Sequence, residues 1–327
     1  MYTVMLELLK PVRLRTFSGE VARALFLNML DSAESGLAEE AHGEDLSPYS
    51  VSPFLTRDGR ILPYSIPAGL VKFRVSALSQ KVADAMAKYL VENGTRRMEV
   101  RVYGVEAVLV GVRLNSFVAA QDSNTRFAVI FRTPTAFRTK LGIYIVFPSP
   151  FHLLKGLAKL FKKYEDPTLP YRSYLRWLQA DGVVLETYDR LRVHRVPDSH
   201  GWWRGFTGRA VYKVPEQRHD PKMVKLTNLL LNYASFANVG KHRTAGYGFV
   251  CYRPLNELKR VAPYIGGRRR TVIPLLLVAG AGHYKTYQNI SSYTKIDRVL
   301  YSVRRRLGNT LTHLSGFEYL CPASVPI

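Results

Sequence analysis

The order in which hydrophobic periodicities follow one another constrains the fold of this chain more than any single motif. Tyr2 to Leu9 alternates as a strand does, and Gly19 to Leu30 places Val21, Ala24, Leu25, Leu27 and Met29 as a helix would. After Tyr49-Ser-Val-Ser-Pro-Phe54, the turn Arg57-Asp-Gly-Arg60 separates two short extended segments, and Leu70 to Val75 reads as a further strand. Ser76 to Val91 gathers Val82, Ala85, Met86, Tyr89 and Leu90 on one side of a helix that Asn93-Gly94 ends, and Arg97 to Tyr103 returns to strand.

The same succession then recurs. Phe127 to Arg132 is strand-like, Pro150 to Lys162 and Tyr171 to Leu178 are helical, and Val183 to Val196 and Gly208 to Val214 are extended. Val224 to Phe236 is a helix with a Leu-rich face, and Gly248 to Tyr252 closes the run as a strand. The order βαββαβ is that of a split βαβ unit, in which two helices cover one face of an antiparallel sheet. The expected fold is therefore α+β: two tandem ferredoxin-like domains, at 1–123 and 124–254, and a basic extension at 255–327 without an assignable fold. The repeat rests on the order of elements and not on residue identity. A chain of 327 residues also exceeds the usual single core.

Charge narrows the partner. Lys and Arg number 47 against 25 Asp and Glu, a formal net charge of +22, which makes a polyanion the natural ligand and a membrane surface the competitor. The excess is uneven: from Pro221 onward only Glu257, Asp297 and Glu318 oppose sixteen Lys and Arg, whereas Glu20 to Asp45 holds seven acids and one Arg. The early apolar residues are interrupted by Lys10, Arg13 and Arg15, and Val272 to Gly282 is too short to span a bilayer, so a soluble cytoplasmic chain is expected. Cys251 and Cys321 are too few for a disulfide framework or a Cys-rich zinc site and read as packing residues. The eight histidines lack metal-ligand spacing; neither a metal nor a cofactor is expected.

The densest chemical signal is Val239-Gly-Lys-His-Arg-Thr-Ala-Gly-Tyr-Gly-Phe-Val250. Gly240, Gly246 and Gly248 let backbone N–H groups approach an anion, and Lys241, His242 and Arg243 set positive charge beside them, as a phosphate-gripping loop requires. Arg204, Arg209 and Lys213 lie among Trp202, Trp203, Phe206 and Tyr212, the mixture of cations and flat rings on which unpaired bases stack, although the rings are equally good core residues. Lys155, Lys159, Lys162 and Lys163 fit either a backbone grip or a solvated helix face. Gly246-Tyr-Gly-Phe-Val-Cys-Tyr252 imitates the aromatic strand of an RNA-recognition module, but it follows the last helix instead of preceding it.

Several blocks, in order, resemble the CRISPR-associated repeat-processing endoribonucleases, members of a superfamily of RNA-binding proteins with tandem ferredoxin-like domains and a glycine-rich loop. The first is Phe17-Ser-Gly-Glu-Val-Ala-Arg-Ala-Leu-Phe-Leu-Asn-Met-Leu30, followed by Leu37-Ala-Glu-Glu-Ala-His42 and Pro48-Tyr-Ser-Val-Ser-Pro-Phe54. Phe131 to Phe137, Phe147-Pro-Ser-Pro150 and Gly205 to Tyr212 come next, and the glycine-rich loop completes the set. The resemblance covers residues 1–254. It implies a metal-independent cut in CRISPR repeat RNA by the RNA's own 2′-hydroxyl, leaving a cyclic phosphate and a 5′-hydroxyl.

The resemblance also implies the site residues. His42 falls at the family's general acid/base histidine, in the loop after the first helix, and an imidazole's ordinary pKa lies near neutrality. Glu39, Glu40, Glu44 and Asp45 crowd it, which suits a proton donor to the leaving 5′-oxygen yet repels RNA phosphate. Tyr49 is the second catalytic candidate, to hydrogen-bond near the scissile phosphate, although an aromatic in a strand also reads as a packing residue. The tyrosine that some members carry on the first helix is Leu27 here, and no lysine stands between His42 and Tyr49. Lys241 or Arg243 could supply the missing charge if the loop reaches the site. The departures leave a second reading beside the nuclease: a non-catalytic subunit that holds repeat RNA among the other subunits of a CRISPR effector complex.

Overall fold

Alternation and periodicity are resolved into two lobes of the same design. The computed structural model describes residues 1–93, 98–102, 104–115, 117, 123–139, 141–198 and 201–255; the extension beyond Leu255, with its runs Gly266–Arg270 and Arg304–Arg306, lies outside the described residues. The first lobe runs β1 (Tyr2–Leu8), β2 (Val12–Arg13), α1 (Ser18–Ala33), α2 (Leu37–Gly43), β3 (Tyr49–Val51), β4 (Ser65–Ile66), β5 (Gly69–Ala77), α3 (Gln80–Asn93), β6 (Met98–Val102) and β7 (Val105–Leu114). Its main sheet has the order β3-β5-β1-β7-β6, antiparallel throughout. Along β1, Tyr2, Val4, Leu6 and Leu8 are buried while the residues between them are not, the two-residue period of a sheet with one covered face. The cover is α1, through Leu25, Phe26, Met29 and Leu30, and α3, through Val82, Ala85, Met86 and Tyr89.

The second lobe runs β8 (Arg126–Thr135), β9 (Phe137–Arg138), β10 (Tyr144–Ile145), α4 (Pro150–Tyr164), α5 (Tyr171–Gln179), β11 (Val184–Asp198), β12 (Gly201–Lys213), α6 (Pro221–Ala237) and β13 (Val250–Pro254). The sheet order is β11-β12-β8-β13. With β6 set aside, both lobes therefore place their strands in the spatial order second, third, first, fourth, the antiparallel split-βαβ arrangement. Pro150 begins α4, and the Ser149 side chain caps its first turn by accepting from the His152 N–H. Asp220 caps α6 in the same way, accepting from Lys222 and Met223 N–H groups at 2.8 and 3.1 Å. Leu153, Leu154, Leu157 and Phe161 of α4 join Leu230, Leu231 and Ala234 of α6 in one core, where each fully buried large side chain contributes about 1.5–3 kcal/mol.

Three expectations are revised. The strand beside β1 is β7, whereas the segment expected to close the first unit forms β6, an edge strand that hairpins onto β7. His42 lies in the last turn of the short helix α2, not in a loop. The strand expected from Gly208 begins at Gly201, so β11 and β12 form a long hairpin with the two tryptophans on it.

The lobes meet along a polar seam. The Ser50 hydroxyl donates to the Phe236 carbonyl at 2.5 Å, and the Asn238 side-chain amide donates to the carbonyls of Val51 and Arg243 at 2.8 and 2.9 Å. Beside them Phe17 of the first lobe stacks on Tyr247 of the second, 4.5 Å between ring centroids. That pair shares a small buried cluster with Ala136, Val196, Trp203 and Ala245.

Candidate active site and nucleic-acid interface

A cleft of about 1220 Å3 opens along this seam, and both the segment bearing His42 and the glycine-rich loop line it. Its wall carries seven Lys and Arg side chains against two carboxylates, Glu20 and Asp45, so the local field favours an anion. Cations come from α1 (Arg23), from α4 (Lys155 and Lys159), from the β9 region (Arg138) and from the loop (Lys241).

His42 is exposed at the end of α2, and its Nδ1 lies 3.4 Å from the Tyr49 hydroxyl. Two of the four nearby carboxylates are engaged away from the ring. Glu40 pairs with Lys81 of α3, and Glu44 pairs with Lys163 of α4, each at 2.5 Å. Tyr164 also donates to the Leu46 carbonyl, so α4 holds the chain that follows His42. Asp45 alone of the four lines the cleft.

Tyr49 was expected beside the scissile phosphate, but it is fully buried, packed on Phe26 at 5.0 Å. Burial pushes its phenol above the ordinary value, with Arg23 and Arg243 acting in the opposite sense. The Tyr49 hydroxyl is held inside the fold against an imidazole nitrogen of His42, a placement suited to orienting that ring.

The loop is revised more deeply. Gly246 and Gly248 are buried and face protein. A Cβ on Gly246 would lie 2.9 Å from the Gly19 Cα and the Pro53 nitrogen, and one on Gly248 would lie 1.7 Å from the Val239 carbonyl oxygen. Several loop amides are already used: Lys241 N–H donates to Ala136, Ala245 N–H to His242, Gly248 N–H to Pro134, and Phe249 N–H to the Thr133 hydroxyl. These two glycines therefore serve the approach of two backbones, with φ of +80° and +63° that side chains resist. Only Gly240 of the three lines the cleft.

Arg243 is likewise turned inward. It is 8% exposed, and its guanidinium donates to the Tyr49 carbonyl at 2.6 Å and to the Ser47 carbonyl. Burial draws it below its ordinary value. The loop thus does reach the His42–Tyr49 segment, though Arg243 spends its charge on carbonyls. Lys241 and His242 remain on the cleft wall: the Lys241 ammonium lies 4.8 Å from the Tyr144 ring centroid and 5.3 Å from that of Trp203, and His242 packs against Trp203 and Tyr247.

Neither Arg204 nor Arg209 lines the cleft. Arg204 is exposed near the end of the β11–β12 hairpin, whereas Arg209 is half-buried at mid-strand, between Asp189 and Ile130 in the ladders. Trp203, Phe206 and Tyr212 are core residues, and Trp202 is 48% exposed. Sequence reasoning passed over Arg23, which lies one helical turn before Leu27 and opens on the cleft while Leu27 packs on the core. The signal was a cation four residues from the position inspected. His152 also lines the cleft; its Nδ1 meets the Ser149 hydroxyl at 3.0 Å, and burial, then Lys155, lowers its pKa. Among the described residues no group of three or more His, Cys, Asp or Glu side chains is gathered as metal ligands would be, and no helix is long and apolar enough to cross a membrane.

Residues 129–250, from β8 into β13, match the family model of the CRISPR-associated endoribonuclease Cas6. The Streptococcus thermophilus CRISPR-associated endoribonuclease Cas6 is 20% identical over 228 residues, spanning 67% of this chain and 86% of that protein. Among solved structures, a Cas6 product complex is similar with a TM-score of 0.61 at 20% identity, covering 77% of this chain and 99% of the other. Thermus thermophilus Cas6 is similar with a TM-score of 0.55 at 18% identity, over 77% and 97% of the two chains. The order of blocks, the doubled strand topology and these matches agree, and the chain is similar in sequence and fold to the CRISPR-associated Cas6 endoribonucleases.

Proposed function

We propose that this protein binds CRISPR repeat RNA in the cleft between its lobes and cuts it once per repeat without a metal ion, acting in the cytoplasm. One observation carries the reading: an exposed histidine, oriented by a buried tyrosine, stands on the wall of a cation-lined cleft that the glycine-rich loop also borders. In the reaction the 2′-hydroxyl oxygen forms a bond to the adjacent phosphorus as the bond from phosphorus to the 5′-oxygen breaks. His42 gives a proton to that 5′-oxygen, and the 2′-hydroxyl proton passes to water in the open cleft. The products are a 2′,3′-cyclic phosphate and a 5′-hydroxyl.

Arg23 and Lys241 are the cations assigned to the charge that develops on the phosphate, in place of the lysine absent after His42. Lys155 and Lys159, one turn apart on α4, are assigned to neighbouring backbone phosphates. Tyr49 keeps the imidazole in register, and Arg243 keeps Tyr49 in place. The similarity to a Cas6 solved as a product complex supports RNA as the ligand.

The test is incubation of the full chain with end-labelled repeat RNA in EDTA. The wild type should give one cut with a cyclic-phosphate end, His42→Ala should bind without cutting, and Tyr49→Phe should cut more slowly at unchanged affinity. Binding by the wild type without any cut would favour the effector-subunit reading and sink the nuclease.

A further inference from the structure

The β11–β12 hairpin carries a feature that lies outside the cleft chemistry. Arg195 and Arg204 are directly opposed in its ladder, and Pro197 opposes Trp202. Arg204 and Trp202 are two residues apart, so these side chains emerge from one face of the ribbon. The Arg195 guanidinium carbon lies 4.3 Å from the Trp202 ring centroid and that of Arg204 lies 5.4 Å from it. Like charges directly opposed across a ladder destabilise it. Among the described residues neither guanidinium has a carboxylate partner, and the indole beside them is 48% exposed.

The neighbouring residue fixes where this group stands. Trp203 turns to the other face, 5% exposed, with its ring 5.2 Å from Tyr247 and 5.7 Å from His242. That contact moors the hairpin end to the glycine-rich loop. Trp203 lines the cleft, and so does Pro197, the ladder partner of Trp202. Trp202 is therefore one Cα step, about 3.8 Å, from the cleft wall.

We infer that Trp202, Arg195 and Arg204 form a nucleotide clamp at the rim of the cleft, in which an unpaired base of the RNA stacks on the indole and its phosphate meets the guanidinia. A flat apolar ring next to two unneutralised cations matches a nucleotide, which offers a π-face and an anion on one unit, better than it matches an apolar protein surface. The clamp rests on the RNA-cleavage reading for its ligand and places one flanking nucleotide outside the reacting pair.

Fluorescein-labelled repeat RNA and a set of single-abasic versions of it, titrated against the full chain, test the clamp. Stacking on an aromatic ring is worth about 1–3 kcal/mol per base, so Trp202→Ala should weaken repeat binding by about fivefold to about a hundredfold. Trp202→Phe should retain most of the affinity. One abasic position should weaken the wild type by the same factor and Trp202→Ala no further. Unchanged affinity in Trp202→Ala overturns the clamp, as does a loss that no abasic position cancels. Loss of a co-purifying effector protein with RNA affinity intact also overturns it. If the wild type neither binds nor cuts repeat RNA, the cleavage reading fails with it; if it cuts and Trp202→Ala is indifferent, only the clamp fails.

Discussion

Gly19→Ala should destabilise this protein although the same change in most helices is favourable. Gly19 sits in the first turn of α1, where glycine ordinarily costs up to about 1 kcal/mol relative to alanine. Here a Cβ would meet the Ala245 carbonyl oxygen at 2.2 Å and the Gly246 Cα at 2.8 Å. Both are backbone atoms, so no rotamer change relieves the contact; α1 and the loop must separate by about an ångström. Forcing atoms into a packed site costs about 1–3 kcal/mol, and the displaced loop also loosens Phe17 on Tyr247 and the Arg243 bonds to the Ser47–Tyr49 segment. A net loss of about 2 kcal/mol is expected, roughly 30-fold in the unfolding equilibrium. Urea unfolding followed by far-ultraviolet circular dichroism reads the midpoint, and single-turnover cleavage at saturating RNA reads the alignment of His42. The midpoint should fall and the cleavage rate should fall with it, because the loop braces the His42–Tyr49 segment. A midpoint equal to or above that of the wild type, with normal cleavage, would refute the close approach between helix and loop.

Two further outcomes follow from the same seam. Lys241→Ala should lower the urea midpoint only by what its contacts with the Tyr144 and Trp203 rings are worth, about 0.5–1 kcal/mol each, weaken RNA binding and reduce the slope of log affinity against log salt by about one. Arg243→Ala should lower the midpoint further, since the buried carbonyls of Ser47 and Tyr49 lose their donor at about 1–3 kcal/mol; equal behaviour of the two variants would contradict the assignment. As for pH, His152 and His194 both have folded values drawn below 6.5, by burial and then by Lys155 and Arg192 respectively. Above about pH 6.5 both are neutral whether the chain is folded or not. As the pH falls through 6.5, the unfolded chain takes up protons that the folded chain resists, so their contribution to stability declines. The urea midpoint should drop between pH 7.5 and 5.5, and the double substitution His152→Gln and His194→Gln should shrink that drop; an unaltered drop would remove these two histidines from the account.

The parts of the fold that follow from local chemistry were legible in the chain. Pro150 to Lys162 is nearly the observed α4, because a Ser-Pro start and a run of apolar residues at helical spacing require no tertiary information. β7 was missed where Gly111 and Arg113 dilute its alternation, and its half-buried residues get their place from pairing with β1. Half of β12 was missed because Trp202 and Trp203 read as an aromatic cluster, when their opposite environments come from the hairpin. Of the candidate site residues, His42 and the loop border one cleft. The sequence could not distinguish Lys241 from Arg243. Arg243 is buried by a segment 194 residues away in sequence, and no local pattern announces that the cation two places from one on the cleft wall serves carbonyl groups. For the same reason the glycines looked like room for an anion, when Gly246 is room for the other lobe and Gly248 is room for the Val239 backbone.

The seam built from these contacts has a kinetic meaning. Among the described residues, close backbone approaches and buried hydrogen bonds tie the two lobes together across the seam, where a hinge would have to act. If repeat RNA enters this cleft as proposed, it bends to a gap whose walls are already tied together, and discrimination between a correct repeat and a near miss falls on the deformability of the nucleic acid. On the proposed reading the cut alters one phosphate and leaves that bent path intact, so product dissociation is expected to be slower than single-turnover cleavage, which a burst followed by a slow steady state would report.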